Sequence, residues 1–126
     1  MEKAPTEIRL RRGSRVLTVG FDDGASFDLP FEYLRVYSPS AEVIGHGPGQ
    51  ETLQIGKEDV VVTTIEPVGQ YAVRLVFDDG HDTGLYRWGY LRQLGEEQEQ
   101  RWRDYLDRLE AAGYPRRPRR DGSPDT

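Results

Sequence analysis

The sequence has no cysteine among its 126 residues, which excludes disulfides, thiolate zinc sites, cysteine-ligated iron–sulfur clusters and a cysteine nucleophile together. It has no run approaching the ~20 apolar residues needed to cross a bilayer. Nor does Met1-Glu2-Lys3-Ala4-Pro5 carry an apolar signal core, so no membrane contact is expected and the expected location is cytoplasmic. Positive charge is not in excess either. The net charge is −5, and without a clustered basic surface no nucleic-acid partner is expected. The one dense basic run, Arg116-Arg117-Pro118-Arg119-Arg120, falls in residues 113–126, a proline-rich stretch expected to be a solvated, disordered tail, with a docking or polyanion-contacting arm as the alternative.

What is present fits one domain over residues 1–112. Hydrophobic residues make up 36% and charged residues 31% of the chain, enough for a single thin core with solvated flanks. Apolar and polar residues alternate over 7–11 and again over 15–21, with Arg12-Gly13-Ser14 between them, which predicts a hairpin. Asp22-Asp23-Gly24 supplies a second tight turn into a short strand at 26–29. Pro30 suits the first turn of a helix over 31–36, where its missing N–H is not needed. Residues 37–57, broken by Ser38-Pro39-Ser40 and Gly45-His46-Gly47-Pro48-Gly49, are expected to be a long loop. Strands are expected again at 59–66 and 71–77, this pair the more apolar and hence the more buried. A third short strand at 82–86 follows, then a helical turn or two at 88–94. Trp102, Tyr105, Leu106, Leu109 and Ala112 recur at helical spacing, so 96–112 forms an amphipathic helix closed by Gly113 and Pro115.

The two halves echo each other. Gly13 to Phe21, then Asp22-Asp23-Gly24 and Tyr33-Leu34-Arg35, returns as Gly69 to Phe77, Asp78-Asp79-Gly80 and Tyr90-Leu91-Arg92, at an offset of 56 that becomes 57. A duplicated β-β-β-α unit around one core follows, although Asp-Gly hairpin chemistry alone also produces such an echo. The fold class is α+β, mainly antiparallel, with two short helices and a C-terminal amphipathic one.

Candidate chemistry is sparse. His46, His81 and the neighbouring Asp82 are the residue types of an open iron or zinc site, but their spacing carries no signature. Asp22, Asp23, Asp78 and Asp79 lack the alternating ligands and closing glutamate of a calcium loop. Gly45, Gly47 and Gly49 lead into no Gly-Lys-Ser/Thr, so they make no phosphate cradle. Ser38 and Ser40 lack the strand-turn-helix elbow of a hydrolase nucleophile. No nucleophile, base and orienter set is visible, and no catalytic residue is assigned. Tyr37, Trp88, Tyr90 and Arg92, aromatics with an arginine, have the composition of a protein-binding patch.

The ordered set Leu34 to Val43, Gly45-His46-Gly47-Pro48-Gly49-Gln50, Gly56-Lys57 and Phe77-Asp78-Asp79-Gly80-His81-Asp82-Thr83-Gly84 through Tyr90-Leu91 resembles the gamma-butyrobetaine hydroxylase N-terminal-like domain family, over about residues 5 to 95. It is most similar to the short, stand-alone bacterial members. The resemblance implies the fold. In the large hydroxylases this domain holds a structural zinc through three cysteines and one histidine; those positions fall here on Ser38, Ser40, Val43 and His81, so three of the four ligands are gone. The oxygenase domain that follows in the large hydroxylases is absent from this sequence, so no hydroxylase activity carries over. Similar domains fused to P-loop iron–sulfur carriers imply an accessory role beside such a partner. The expectation is a non-enzymatic, protein-binding accessory domain. The alternatives are an iron or zinc domain using His46, His81 and Asp82, or an enzyme acting on a small molecule.

Overall fold

The computed structural model describes residues 3–45 and 51–117. Strands β1 (Glu7–Arg11), β2 (Val16–Gly20) and β3 (Ser26–Pro30) form one antiparallel sheet, and helix α1 (Phe31–Val36) follows. After the one-turn helix α2 (Ala41–Ile44), strands β4 (Val62–Val68), β5 (Ala72–Phe77) and β6 (Leu85–Arg87) form a second antiparallel sheet. Helices α3 (Trp88–Glu96) and α4 (Gln98–Ala111) complete the order. The α+β fold expected from the sequence is therefore present, and each half is a β-β-β-α unit.

The units match in register as well as in order. Val16 pairs with Pro30 in the first sheet and Ala72 with Arg87 in the second, so the extra residue of the second unit lies between His81 and Gly84. The turns repeat bond for bond. Phe21 N–H donates to Ala25 O at 2.8 Å and Gly24 N–H to Phe21 O at 3.2 Å, as Phe77 N–H does to His81 O at 3.0 Å and Gly80 N–H to Phe77 O at 3.2 Å. Gly24 and Gly80 sit at φ +88° and +90°, which glycine adopts at little cost.

The units pack reciprocally, as the halves of a two-fold interface do. Tyr33 Oη donates to Leu94 O at 2.7 Å, and its counterpart Tyr90 Oη donates to Tyr37 O at 2.6 Å. Arg35 of the first unit pairs with Asp79 of the second at 2.9 Å, and Arg92 of the second pairs with Asp23 of the first at 2.9 Å. Leu17, Val19 and Leu29 from one sheet, Val73, Leu75 and Tyr86 from the other, and Leu34 and Leu91 from α1 and α3 share one core.

Three local expectations are revised. The second strand pair is not the more buried one, because each sheet hides its middle strand: Leu17 and Val19 on β2 are as inaccessible as Leu75 on β5. Pro67, expected in a connection, lies in β4, an edge strand where its missing N–H costs no ladder bond. The loop 37–57 contains α2, nucleated by Ser40, whose Oγ accepts from Glu42 N–H at 3.2 Å. Among the described residues no helix is long and apolar enough to cross a membrane.

Candidate functional site

The same place in the fold is built twice, once in apolar and once in polar residues. At the first, Phe27 of β3 lies against Gly95 of α3, so closely that a Cβ on Gly95 would meet the Phe27 ring at 2.4 Å. At the second, its register equivalent Gly84 faces Ser38, the equivalent of Gly95, and a Cβ on Gly84 would meet Ser38 Oγ at 2.5 Å. Around the first, Arg92 stacks over Phe21 and Phe27 at 5.0 and 5.7 Å. Around the second, a chain of hydrogen bonds replaces the rings.

His81 is the centre of that chain. Its Nε2 lies 2.8 Å from Ser38 Oγ and its Nδ1 3.0 Å from Glu42 Oε1. A carboxylate only accepts, so Nδ1 carries the proton and Nε2 accepts from the Ser38 hydroxyl. Ser38 Oγ in turn accepts from Ser40 N–H at 3.3 Å, and Ser40 Oγ lies 2.7 Å from Thr83 Oγ1. The chain thus ties Ser38, Ser40 and α2 to the turn between β5 and β6. Burial, with the Arg35 charge, holds His81 below its ordinary pKa despite Glu42 and Asp79 nearby, so the neutral ring is favoured.

Asp79 fixes the turn from below. Its Oδ1 accepts from His81 N–H at 3.1 Å, and its Oδ2 accepts from Arg35 Nε at 2.9 Å and Lys57 Nζ at 2.7 Å. Burial pushes its carboxyl up, but the Lys57, His81 and Arg35 donors and the Arg35 charge outweigh that and hold it at about 2.

Ser38, His81 and Glu42 are bonded in the order of a hydrolase relay, yet the burial is inverted. A relay buries the carboxylate and presents the hydroxyl to substrate. Here Ser38 is 0% exposed while the Glu42 side chain is 64% exposed. The arrangement joins two loops; it does not offer a nucleophile.

The positions that the resemblance assigned to zinc do come partly together, since Ser38 bonds His81 and Ser40 bonds its neighbour Thr83. They do not fit the metal. Two neutral hydroxyls already engaged in hydrogen bonds, the hydrocarbon of Val43 and one imidazole lack the anionic donors that a tetrahedral zinc takes. Among the described residues no group of three or more His, Cys, Asp or Glu is placed to hold a metal. Asp82 turns its carboxylate to Arg74, 3.4 Å away, and His46 lies outside the described residues.

The four residues expected to form a partner patch are engaged within the fold. Tyr37 Oη donates to Arg101 O at 2.6 Å, and Arg101 of α4 stacks over both Tyr37 and Tyr90. Trp88 is half-buried, with Nε1 donating to Gln70 O at 2.8 Å, and Arg92 pairs with Asp23 and Glu96. Sequence reasoning missed Glu42, Thr83 and Asp79 as parts of the site. Asp79 was legible in principle, because each half carries Asp-Asp-Gly and Tyr-Leu-Arg, and two copies sharing a core can satisfy those charges by crossing.

Comparison with known proteins agrees with this architecture. Residues 8–92 match the family described as gamma-butyrobetaine hydroxylase-like, N-terminal. An NMR solution structure of a protein 47% identical superposes with a TM-score of 0.80, over 100% of this chain and 98% of that one. A second NMR solution structure, 49% identical, gives 0.79 over 98% of this chain and 92% of that one. A crystal structure from Acidithiobacillus ferrooxidans, of a protein with unknown function in the DUF971 family, is 45% identical, with a TM-score of 0.60 over 72% and 91% of the two chains. No curated protein matches.

Proposed function

The chain belongs to the gamma-butyrobetaine hydroxylase-like, N-terminal family, and from that premise we propose that it is a non-enzymatic accessory domain that docks a protein partner through the segment 37–57. The observation that carries this reading is the way the described parts of that segment, 37–45 and 51–57, are held. Ser38 and Ser40 bond the β5–β6 turn, Thr52 N–H donates to Val43 O at 2.8 Å, and Tyr105 Oη donates to Gln54 O at 2.6 Å. So anchored, it leaves Ile44 and Ile55 48% and 51% exposed. Apolar side chains beside anchored backbone bind at a lower ordering cost than the same residues on a free chain.

An iron–sulfur carrier is the partner class that the family resemblance favours. At endogenous expression level, the tagged protein should recover one specific partner from native extract. Recovery should fall at least about tenfold for Ile44→Asp/Ile55→Asp, because docking would then bury two unpaired carboxylates where apolar side chains stood. Undiminished recovery by that variant, or no specific partner for the native chain, would remove the proposal. Binding of iron or zinc by His46, His81 and Asp82 is the alternative, and titration of His81 separates the two.

A further inference from the structure

Next to the end of the 37–57 segment, where Leu53 and Tyr114 share a cluster with Tyr105 and Leu109, two buried carboxylates are neutralised by the chain's own C-terminal arginines. Glu32 of α1 is 5% exposed and Glu58 is 1% exposed. A buried carboxylate is costly unless it is paired. Arg116 supplies the pairing for Glu32 with a two-pronged contact, Nε to Oε2 at 3.0 Å and Nη2 to Oε1 at 2.6 Å. Its guanidinium also lies over the Trp102 ring at 5.2 Å. Glu58 Oε2 accepts from Tyr114 Oη at 2.8 Å and from Arg117 N–H at 2.9 Å. Its other oxygen, Oε1, is buried without a hydrogen-bond partner, 3.5 Å from Arg117 Nη2. Burial pushes the Glu58 carboxyl up, but these donors and the Arg117 charge leave it below its ordinary value, so it stays ionised.

A cleft of about 1080 Å³ opens between α1 and α4, lined by Glu32, Glu58, Trp102, Arg103 and Leu106, with Arg116 at its wall. A planar fork on a carboxylate and a guanidinium stacked on an indole are the elements of arginine recognition, and lysine cannot reproduce the fork.

We propose that this cleft is a docking site for an arginine-pair segment of a partner protein, and that Arg116 and Arg117 hold its two carboxylates, Glu32 and Glu58, in the unbound state as internal competitors. Charge complementarity commits the occupant: the walls hold two buried carboxylates, and the chain itself displays the bound mode.

Calorimetric titration of the full chain with the capped peptide Tyr-Pro-Arg-Arg tests this. The doubly substituted Arg116→Ala/Arg117→Ala chain, its competitor gone, should bind the peptide at least about tenfold more tightly than the native chain does. The peptide Tyr-Pro-Lys-Lys should bind that variant at least about tenfold more weakly. Ile44→Asp should change neither value, which keeps this result separate from the fate of the 37–57 proposal. Equal affinity of the native and substituted chains, no binding to the substituted chain, or equal affinity for the lysine peptide would overturn the assignment. If the double variant fails to fold, Arg116→Lys decides: it keeps the charge and loses the fork, so the arginine peptide should bind it more tightly than the native chain, and equality overturns the proposal. A native chain that dimerises with concentration, and no longer does so as Arg116→Lys, would give the cleft to the tail of a second copy and overturn it equally.

Discussion

Asp79→Ala is expected to lower the unfolding free energy by about 3–5 kcal/mol, the usual result of leaving a buried charge without its partner. The charge left behind is Arg35, whose side chain is 8% exposed and whose Nη1 already has no hydrogen-bond partner. Losing the Asp79 carboxylate would also free His81 N–H and Lys57 Nζ. The counterpart substitution Asp23→Ala removes the same interaction on the other side of the repeat. There Arg92 and Asp23 are 31% and 50% exposed, so water replaces the lost partner and the effect should be barely detectable. Adding Arg35→Met to Asp79→Ala should recover most of the loss, since an apolar side chain needs no partner at that site. Urea unfolding midpoints with unchanged slopes give the comparison. Equal costs at Asp79 and Asp23 would mean that burial does not separate the two pairs.

Gly84→Ala is the second large effect. The new methyl group would lie 2.5 Å from Ser38 Oγ and 3.2 Å from Tyr86 Cε1, so the Ser38–His81 bond must break or the turn must move. Overpacking of this kind costs about 1–3 kcal/mol. Ser38→Ala alone should cost about 1–3 kcal/mol by leaving His81 Nε2 buried without a donor. Together they should cost clearly less than the sum, because the methyl at 84 enters the room that the hydroxyl vacates. Strict additivity would show that Gly84 and Ser38 do not compete for that space.

Much of this fold was legible because its signals are local. Pro30 and the Asp-Gly pairs set α1 and the hairpins, and the observed β1 and α1 have the expected bounds of 7–11 and 31–36. Gly95 was expected to separate two helices. It lies inside α3 instead, and the chain turns at Glu97, because Phe27 needs a residue without a side chain beneath it. The helix α2 was hidden by the glycines and prolines on both sides of it, although Ser40 two residues before Glu42 is a recognisable cap.

The site was far less legible. Ser38 and His81 are 43 residues apart, and no periodicity links them; only the family resemblance put them side by side, and it did so as metal ligands. Nothing in the sequence links Glu42 to His81. The C-terminal segment, expected to be solvated from residue 113, is described as far as Arg117. Over Tyr114 to Arg117 it lies on Glu32, Glu58 and Asp59, charges that composition alone cannot place inside a fold.

The claim that His81 closes a hydrogen-bonded clasp in place of a metal ligand is tested most directly by nitrogen-15 NMR of its imidazole, from pH 8 to pH 5, with and without added Zn(II) or Fe(II). The clasp predicts a neutral ring protonated on Nδ1 at pH 7, unmoved by either metal, with a midpoint below the ordinary histidine value near 6.5. Because the folded state then binds its proton less readily than the unfolded chain, the stability His81 contributes is complete above about pH 6.5 and declines as pH falls toward the folded midpoint. A stoichiometric shift of the His81 signals on adding either metal, or a midpoint above 6.5, would contradict the clasp and favour a metal centre.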